Sequence, residues 1–326
     1  MKIFYLPSGE KYIYHFFDRV ITRELDRSPH QLYTSPSVKN VVELKRNILK
    51  INPDIVFTMA GLRIDPDLFK WIKKNNIKTA IWMTEDPYYM DVTLPIIHLF
   101  DYVFTIDTAA KEQYEDAGHE HTYHVSLGTD KTYYFPKIES NSTYESDLTL
   151  IGYPYKNRVE LIKLLLMKTQ YHITVAGRGW TQALASIKTK HYLQIIDSWI
   201  PPTEVNLYYN NAKVVLNIHR PFDEKLNKND LKVKPRSINN RTFDIAACEA
   251  FQLIDQRPEL SLYYKEKEEM IHFNNEASFF ENINYYIHFP NLRHQIAANA
   301  RRRTLNEHLF THRVTDILQI FESTLV

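Results

Sequence analysis

The residues best suited to chemistry sit where short hydrophobic runs give way to helical patterns. In Ile151-Gly152-Tyr153-Pro154-Tyr155-Lys156-Asn157-Arg158, Gly152 lets a ligand approach the backbone, and Lys156 and Arg158 flank a helix start. Free amides and the helix dipole already favour an anion there. The run Ala176-Gly177-Arg178-Gly179-Trp180 spends two of only seven glycines, Gly177 and Gly179, beside the aromatic Trp180. A third run, Leu216-Asn217-Ile218-His219-Arg220, offers Asn217 and His219. A fourth, Asn239-Asn240-Arg241-Thr242-Phe243-Asp244, opens a helix with Arg241, Thr242 and Asp244. Asp244 there suits a ribose hydroxyl pair, although taken alone it reads more simply as a partner of the helix dipole. In consecutive crossover loops, the four runs point to a ligand made of phosphate and sugar. A separate loop holds adjacent carboxylates, Glu85 and Asp86, ahead of Pro87. In a partly closed site such a pair has the raised pKa of a general base, whereas an Asp-Pro turn would have Asp86 bonding its own backbone.

Other motifs carry less. Asp65-Pro66-Asp67 spells a D-x-D metal signature, but Asp65 as N-cap and Pro66 at the first helical position explain it better. His119, His121 and His124 read as a surface histidine cluster rather than a zinc site, so no metal is expected. Arg301-Arg302-Arg303 reads as a solvated helix face, and Tyr208, Tyr209, Tyr285 and Tyr286 read as core.

The elements that must position these residues alternate. Strand patterns at Ile3–Leu6, Asp54–Met59, Thr79–Met83, Tyr102–Ile106 and Thr122–Ser126 are short and nearly continuous in hydrophobicity, as buried parallel strands are. Helical spacing joins Ile13, Phe16, Phe17, Val20, Ile21 and Leu25, and helices are expected from Pro66 to Asn75 and from Thr108 to Ala117. Pro136 to Ser146 is polar and reads as a linker. The rhythm then resumes with strands at Asp147–Ile151, His172–Ala176, Lys213–Ile218 and Gln252–Asp255, and helices at Asn157–Lys168, Thr203–Asn211 and Arg241–Ala250. Helices near 276–288, 290–304 and 308–325 close the chain, and the charged run 223–236 reads as a long mobile loop. Repeated βα units imply doubly wound α/β domains, residues 1–137 and 146–326, with ligands beyond the carboxyl ends of the strands and in a cleft between the domains.

Composition fits that picture. At 326 residues the chain is long enough for two cores. Forty Lys and Arg against 39 Asp and Glu give a formal charge of +1, which argues against a strongly basic nucleic-acid binder. One cysteine, Cys248, excludes an intrachain disulfide and a cysteine-rich zinc site. The longest apolar run, near Leu161–Met167, falls short of the roughly 20 residues a membrane span needs, and the first residues lack a signal-peptide core. The expected compartment is the cytoplasm, which makes the sequons at Asn141 and Asn240 chance matches.

Several segments resemble the CgeB-type spore-maturation proteins and related group-1-like glycosyltransferases. They are WMTEDPYY (Trp82–Tyr89), FDYVFTIDTAAKEQYEDAG (Phe100–Gly118), DLTLIGYPYKNR (Asp147–Arg158), VAGRGW (Val175–Trp180), VVLNIHR (Val214–Arg220), NNRTFDIAACEAFQLID (Asn239–Asp255) and EHLFTHRVTDIL (Glu307–Leu318). The resemblance spans nearly the whole chain. It implies a GT-B fold, a nucleotide diphosphate sugar held mainly by the second domain as donor and substrate, and an acceptor on a spore-surface or envelope glycan or protein; the basic, glycine-containing loops and the lack of a metal cluster add the expectation of a UDP-sugar bound with no metal and no separate cofactor. Asp244 matches the acidic residue that contacts the donor ribose, Arg158 a basic position near the donor phosphates, and Gly177 and Gly179 the loop near the nucleotide. The resemblance also centres on the Asp86-Pro87 pair, which favours Asp86 over Glu85 as the catalytic carboxylate. It departs at Glu249, where many relatives have glycine, and at Arg236, where the first carboxylate of the usual Glu-x7-Glu motif would fall. Two rivals follow: a non-catalytic sugar-nucleotide or glycan-binding coat component, and an epimerase or hydrolase of the same fold.

Overall fold

A computed structural model describes residues 1–137, 141–187 and 191–324. The chain forms two compact units. The first holds residues 1–127, 225–237 and 310–326, and the second 128–224 and 238–309.

In the first unit, strands β1 (Lys2–Leu6), β2 (Gln31–Thr34), β3 (Ile55–Met59), β4 (Lys78–Met83), β5 (Tyr102–Thr105) and β6 (Thr122–His124) make one parallel sheet in the order β2-β1-β3-β4-β5-β6. Every residue of β3 is buried, as expected of a strand covered on both faces. Between the strands run α1 (Ile13–Asp26), α2 (Val41–Ile51), α3 (Pro66–Lys74), α4 (Met90–Thr93) and α5 (Thr108–Asp116). Asp65 caps α3 by accepting from the Asp67 amide, with Pro66 in the first turn, so the D-x-D motif is a helix start.

In the second unit, β7 (Ser146–Ile151), α6 (Lys156–Lys168), β8 (Ile173–Ala176), α7 (Trp180–Ala183), β9 (Leu193–Ile196), α8 (Pro202–Asn210), β10 (Ala212–Asn217), α9 (Asn240–Ala247), β11 (Gln252–Asp255), α10 (Leu260–Tyr263), β12 (Ile271–Phe273), α11 (Glu276–Ile287) and α12 (Pro290–Glu307) follow one another. The sheet is parallel, in the order β12-β11-β10-β7-β8-β9. Counted within the unit this is 3-2-1-4-5-6, the dinucleotide-binding order, whose direction of growth reverses between β7 and β10. Leu148, Leu150, Val175, Val214, Leu216 and Leu253 build its core.

The last helix, α13 (Phe310–Thr324), belongs to the first unit, which corrects the expected boundary of 146–326. The reason is its aromatic stripe: Phe310 packs on Phe17 and Trp82, and Phe321 on Phe57, Tyr102 and Phe104. The charged run is likewise not a free loop. Residues 225–237 lie on the first unit, where the Asp107 carboxylate accepts from the Arg236 and Ser237 amides and Asp91 from the Asp230 amide. In the expected linker, residues 138–140 lie outside the described residues, and the Lys137 and Asn141 amides donate to Asn210 and Asn211 of the second unit.

Candidate active site

The reversal point of the second sheet gathers arginines. Arg158, in the first turn of α6, is almost wholly buried; its Nε and Nη2 donate to the Ile218 carbonyl just past β10, and its Nη1 to the Tyr153 carbonyl just past β7. Arg241, in the first turn of α9, reaches the same Ile218 carbonyl with a long 3.4 Å bond. Gly152 lies against both. A Cβ there would come within 2.7 Å of Arg158 Nη1 and 2.8 Å of Arg241 Nη1, so only glycine leaves room for two guanidiniums over the strand end. Carbonyl oxygens accept these bonds without cancelling charge. Arg241 is half-buried and, among the described residues, forms no ion pair, so most of its five N–H donors are uncommitted. Arg220 joins the group through the Tyr155 ring, and Arg257 donates from Nη2 to the Arg220 carbonyl and to Asp255.

A buried polar network fixes the start of α9 and thereby Arg241. Asn217 Nδ2 donates to Thr242 Oγ1 at 2.9 Å and to Gln252 Oε1 at 3.0 Å, while Asn239 Nδ2 donates to Asn217 Oδ1. The Asn239 amide donates to His219 Nε2, so that nitrogen carries no proton and His219 is neutral, donating from Nδ1 to Asp255 at 2.6 Å. Burial agrees, pushing His219 down to about 4 against the pull of Asp255. Burial works against the Asp255 charge, but His219 and Arg257 beside it outweigh that and hold the carboxyl well below the usual range. Asn217, His219 and Thr242 were expected to touch a ligand. They are almost wholly buried with their polar atoms engaged inside the protein, so their part is to position Arg241.

The glycine loop after β8 is also occupied by the protein. The Gly179 and Thr181 amides at the start of α7 donate to the Asp197 carboxylate, so the protein itself fills the amides of the loop expected near the nucleotide. Gly177 is required because a Cβ would stand 2.3 Å from the Gly152 carbonyl oxygen, which in turn accepts from the buried Trp180 indole at 2.8 Å. Gly177, Gly179 and Trp180 therefore set the height of Gly152. Lys156 is the most open of the expected cations; its side chain keeps 84% of its surface exposed and lies 3.9 Å from Glu160.

Asp244 is corrected. It is 2% exposed, its Oδ1 accepts from Thr129 at 2.7 Å and its Oδ2 from Asn240 at 2.9 Å, so it offers a ribose no open oxygen. Burial pushes its carboxyl up to about 8, against those hydrogen bonds and Arg241. Asp86 is corrected too. It has no exposed surface and accepts from Thr93, Thr105 and Tyr114, which tie its loop to α4, β5 and α5. Burial lifts it to about 6, yet an enclosed carboxyl meets no acceptor. Neither does it bond its own backbone as a turn residue would. Glu85 is only half-buried and accepts from the Tyr14 hydroxyl at 2.6 Å. At the β1/β3 reversal point of the first sheet lies a cavity of about 450 Å³, lined by Glu10, His15, Asp18, Lys39 and Arg63 among others. Arg236 is spent on a two-pronged ion pair with Glu112 of the first unit.

The sequence reading missed Tyr155, Arg220, Asn239, Asp255 and Arg257. Asp255 ends a strand pattern and Arg220 follows one, so both were in principle visible; Asn239 signals its role only through Asn217 and His219, distant in sequence.

Residues 158–319 match the model of a family described as glycosyl transferase-like. The chain is 35% identical over 309 residues, 94% of each chain, to spore protein CgeB of Bacillus subtilis (strain 168). Among solved structures, sucrose-phosphate synthase from Thermosynechococcus elongatus superimposes with a TM-score of 0.74 at 10% identity, covering 99% of this chain and 98% of that one. Anabaena Alr3699/HepE in complex with UDP-glucose gives 0.71 at 12% identity, covering 99% and 100%. The fold is that of the GT-B glycosyltransferases, and no helix among the described residues is long and apolar enough to cross a membrane. With this identity over nearly its full length, the chain belongs to the CgeB-type family of glycosyl transferase-like proteins.

Proposed function

We propose that the protein is a glycosyltransferase whose donor is a UDP-sugar, bound by the second unit at the β7/β10 reversal point without a divalent ion. The observation that carries the reading is Arg241: a half-buried guanidinium with donors to spare, locked in place by a buried network, at the point where such sheets take their ligands. Arg158, Arg220 and Lys156 add positive charge around it. Charge builds on the leaving diphosphate as the glycosidic bond breaks, and fixed guanidiniums stabilise that charge where a cation otherwise would. The complexes of Anabaena Alr3699/HepE, which shares the fold, with UDP and glucose and with UDP-glucose support this choice of donor.

We assign the acceptor to the first unit, with the half-buried Glu85 of the loop after β4 in place of Asp86 as the carboxylate that meets an acceptor hydroxyl. The likeness to spore protein CgeB supports an acceptor that belongs to the spore. A non-catalytic sugar-nucleotide binder is the second reading, favoured by one observation: Arg236, at the usual position of a sugar-binding carboxylate, is held by Glu112. Incubation of the full chain with labelled UDP-sugars and spore-envelope extract separates the readings. Transfer of label to envelope material is expected; binding without any product supports the second reading, and free or isomerised sugar points to hydrolysis or epimerisation.

A further inference from the structure

Tyr155 sits in the loop between β7 and α6 with no catalytic group of its own on which the donor reading calls. Its ring nevertheless meets two cations: the Arg158 guanidinium carbon lies 4.9 Å from the ring centroid and that of Arg220 5.5 Å. An aromatic face carries negative quadrupole density, so one ring attracts both guanidiniums and offsets the repulsion between them. Arg158 is anchored by the Ile218 and Tyr153 carbonyls, whereas Arg220 follows β10 on the far side of the reversal point. Tyr155 is in turn braced by the Tyr153 ring at 5.0 Å, and its backbone is fixed as the residue preceding α6.

Resting on the donor reading above, we propose that Tyr155 is a positioning residue that holds Arg220 beside the anchored Arg158, so that the site selects a nucleoside diphosphate over a nucleoside monophosphate. Adjacent phosphates each need a cation, here the half-buried Arg220 and Arg241 with the enclosed Arg158 adding its charge behind them, and a monophosphate is satisfied by one. Tyr155 acts through the arginines and needs no contact with the ligand. Its hydroxyl is not required, but its ring is.

Calorimetric titration of the full chain with UDP, UMP and inorganic pyrophosphate tests this on the wild type, Tyr155→Phe and Tyr155→Leu. The wild type is expected to bind UDP about tenfold or more tightly than UMP. Tyr155→Leu should weaken UDP and pyrophosphate about fivefold, as loss of a ring–guanidinium contact implies, while UMP stays within about twofold. Tyr155→Phe should match the wild type. Arg220→Gln should reproduce the Tyr155→Leu pattern, which keeps the test valid if Tyr155→Leu fails to fold. Equal losses for UDP and UMP, or unchanged UDP affinity in both Tyr155→Leu and Arg220→Gln, would overturn the proposal while leaving the donor reading in place. A wild type that binds none of the three would overturn the donor reading and this proposal with it.

Discussion

The two units use the same kind of parallel sheet and furnish the ends of its strands in opposite ways. In the first unit the polar groups beyond the strands are carboxylates turned inward. Asp86 takes hydroxyls from Thr93, Thr105 and Tyr114, and Asp107 takes amides from Ala109, Ala110, Arg236 and Ser237. In the second unit they are guanidiniums seated on carbonyls, with Arg158 and Arg241 sharing the oxygen of Ile218. A buried carboxylate whose oxygens are filled stabilises a loop. A guanidinium seated on carbonyls keeps its charge and costs repulsion until an anion arrives. Asp86, enclosed with its oxygens filled, thus serves as scaffold, while Arg241, half-buried with donors to spare, can meet a ligand.

The largest effect expected concerns the inward carboxylate of the second unit itself. Asp244 is lifted from 3.8 to about 8, so the folded chain binds the extra proton between about pH 4 and 8 and loses stability as pH rises through that window. Asp244→Asn removes this dependence, and the difference between wild-type and variant unfolding free energies should change by on the order of 5 kcal/mol from pH 4 to 9. Parallel denaturation curves across that range would show that the carboxyl is not held neutral. Next, Glu85→Gln should lower turnover about a hundredfold or more with UDP affinity within about twofold, if Glu85 serves the acceptor hydroxyl. Unchanged turnover would return the first unit's loop to a purely structural part. Arg241→Ala should weaken UDP about 10- to 100-fold, measured by calorimetry, with the melting temperature little changed. Smallest is Glu249→Gly. Glu249 sits at φ 56°, in the left-handed region, and its nearest cation is Arg301 at 3.9 Å. Glycine there should stabilise the chain by about 0.5–1 kcal/mol in chemical denaturation.

Much of the architecture was legible because buried parallel strands carry continuous apolar runs. The strands β1, β3, β4, β5, β7, β8, β10 and β11 were all readable in that way. The strand β2 was not, since Gln31–Thr34 is half exposed at a sheet edge and mixes polar with apolar residues. Helix α13 was legible as a helix but not as part of the first unit, because its partners Phe57 and Phe104 lie more than 200 residues earlier in the chain. At the candidate site the four crossover loops were legible, yet the division of labour within them was not. Asn217 and His219 look like ligand residues in sequence; only the bonds to Thr242, Asn239 and Asp255 reveal them as supports. Asp86 misled for the same reason, since its three hydroxyl partners come from positions 93, 105 and 114.

The central claim is that the guanidiniums at the β7/β10 reversal point take a nucleoside diphosphate with no help from a metal. Titration of the full chain with UDP, in EDTA and again with added magnesium or manganese, tests it most directly. Equal, saturable binding in both buffers is predicted, weakening as salt is raised because the attraction is between charges. Binding that disappears in EDTA, or no binding of UDP in either buffer, would contradict it.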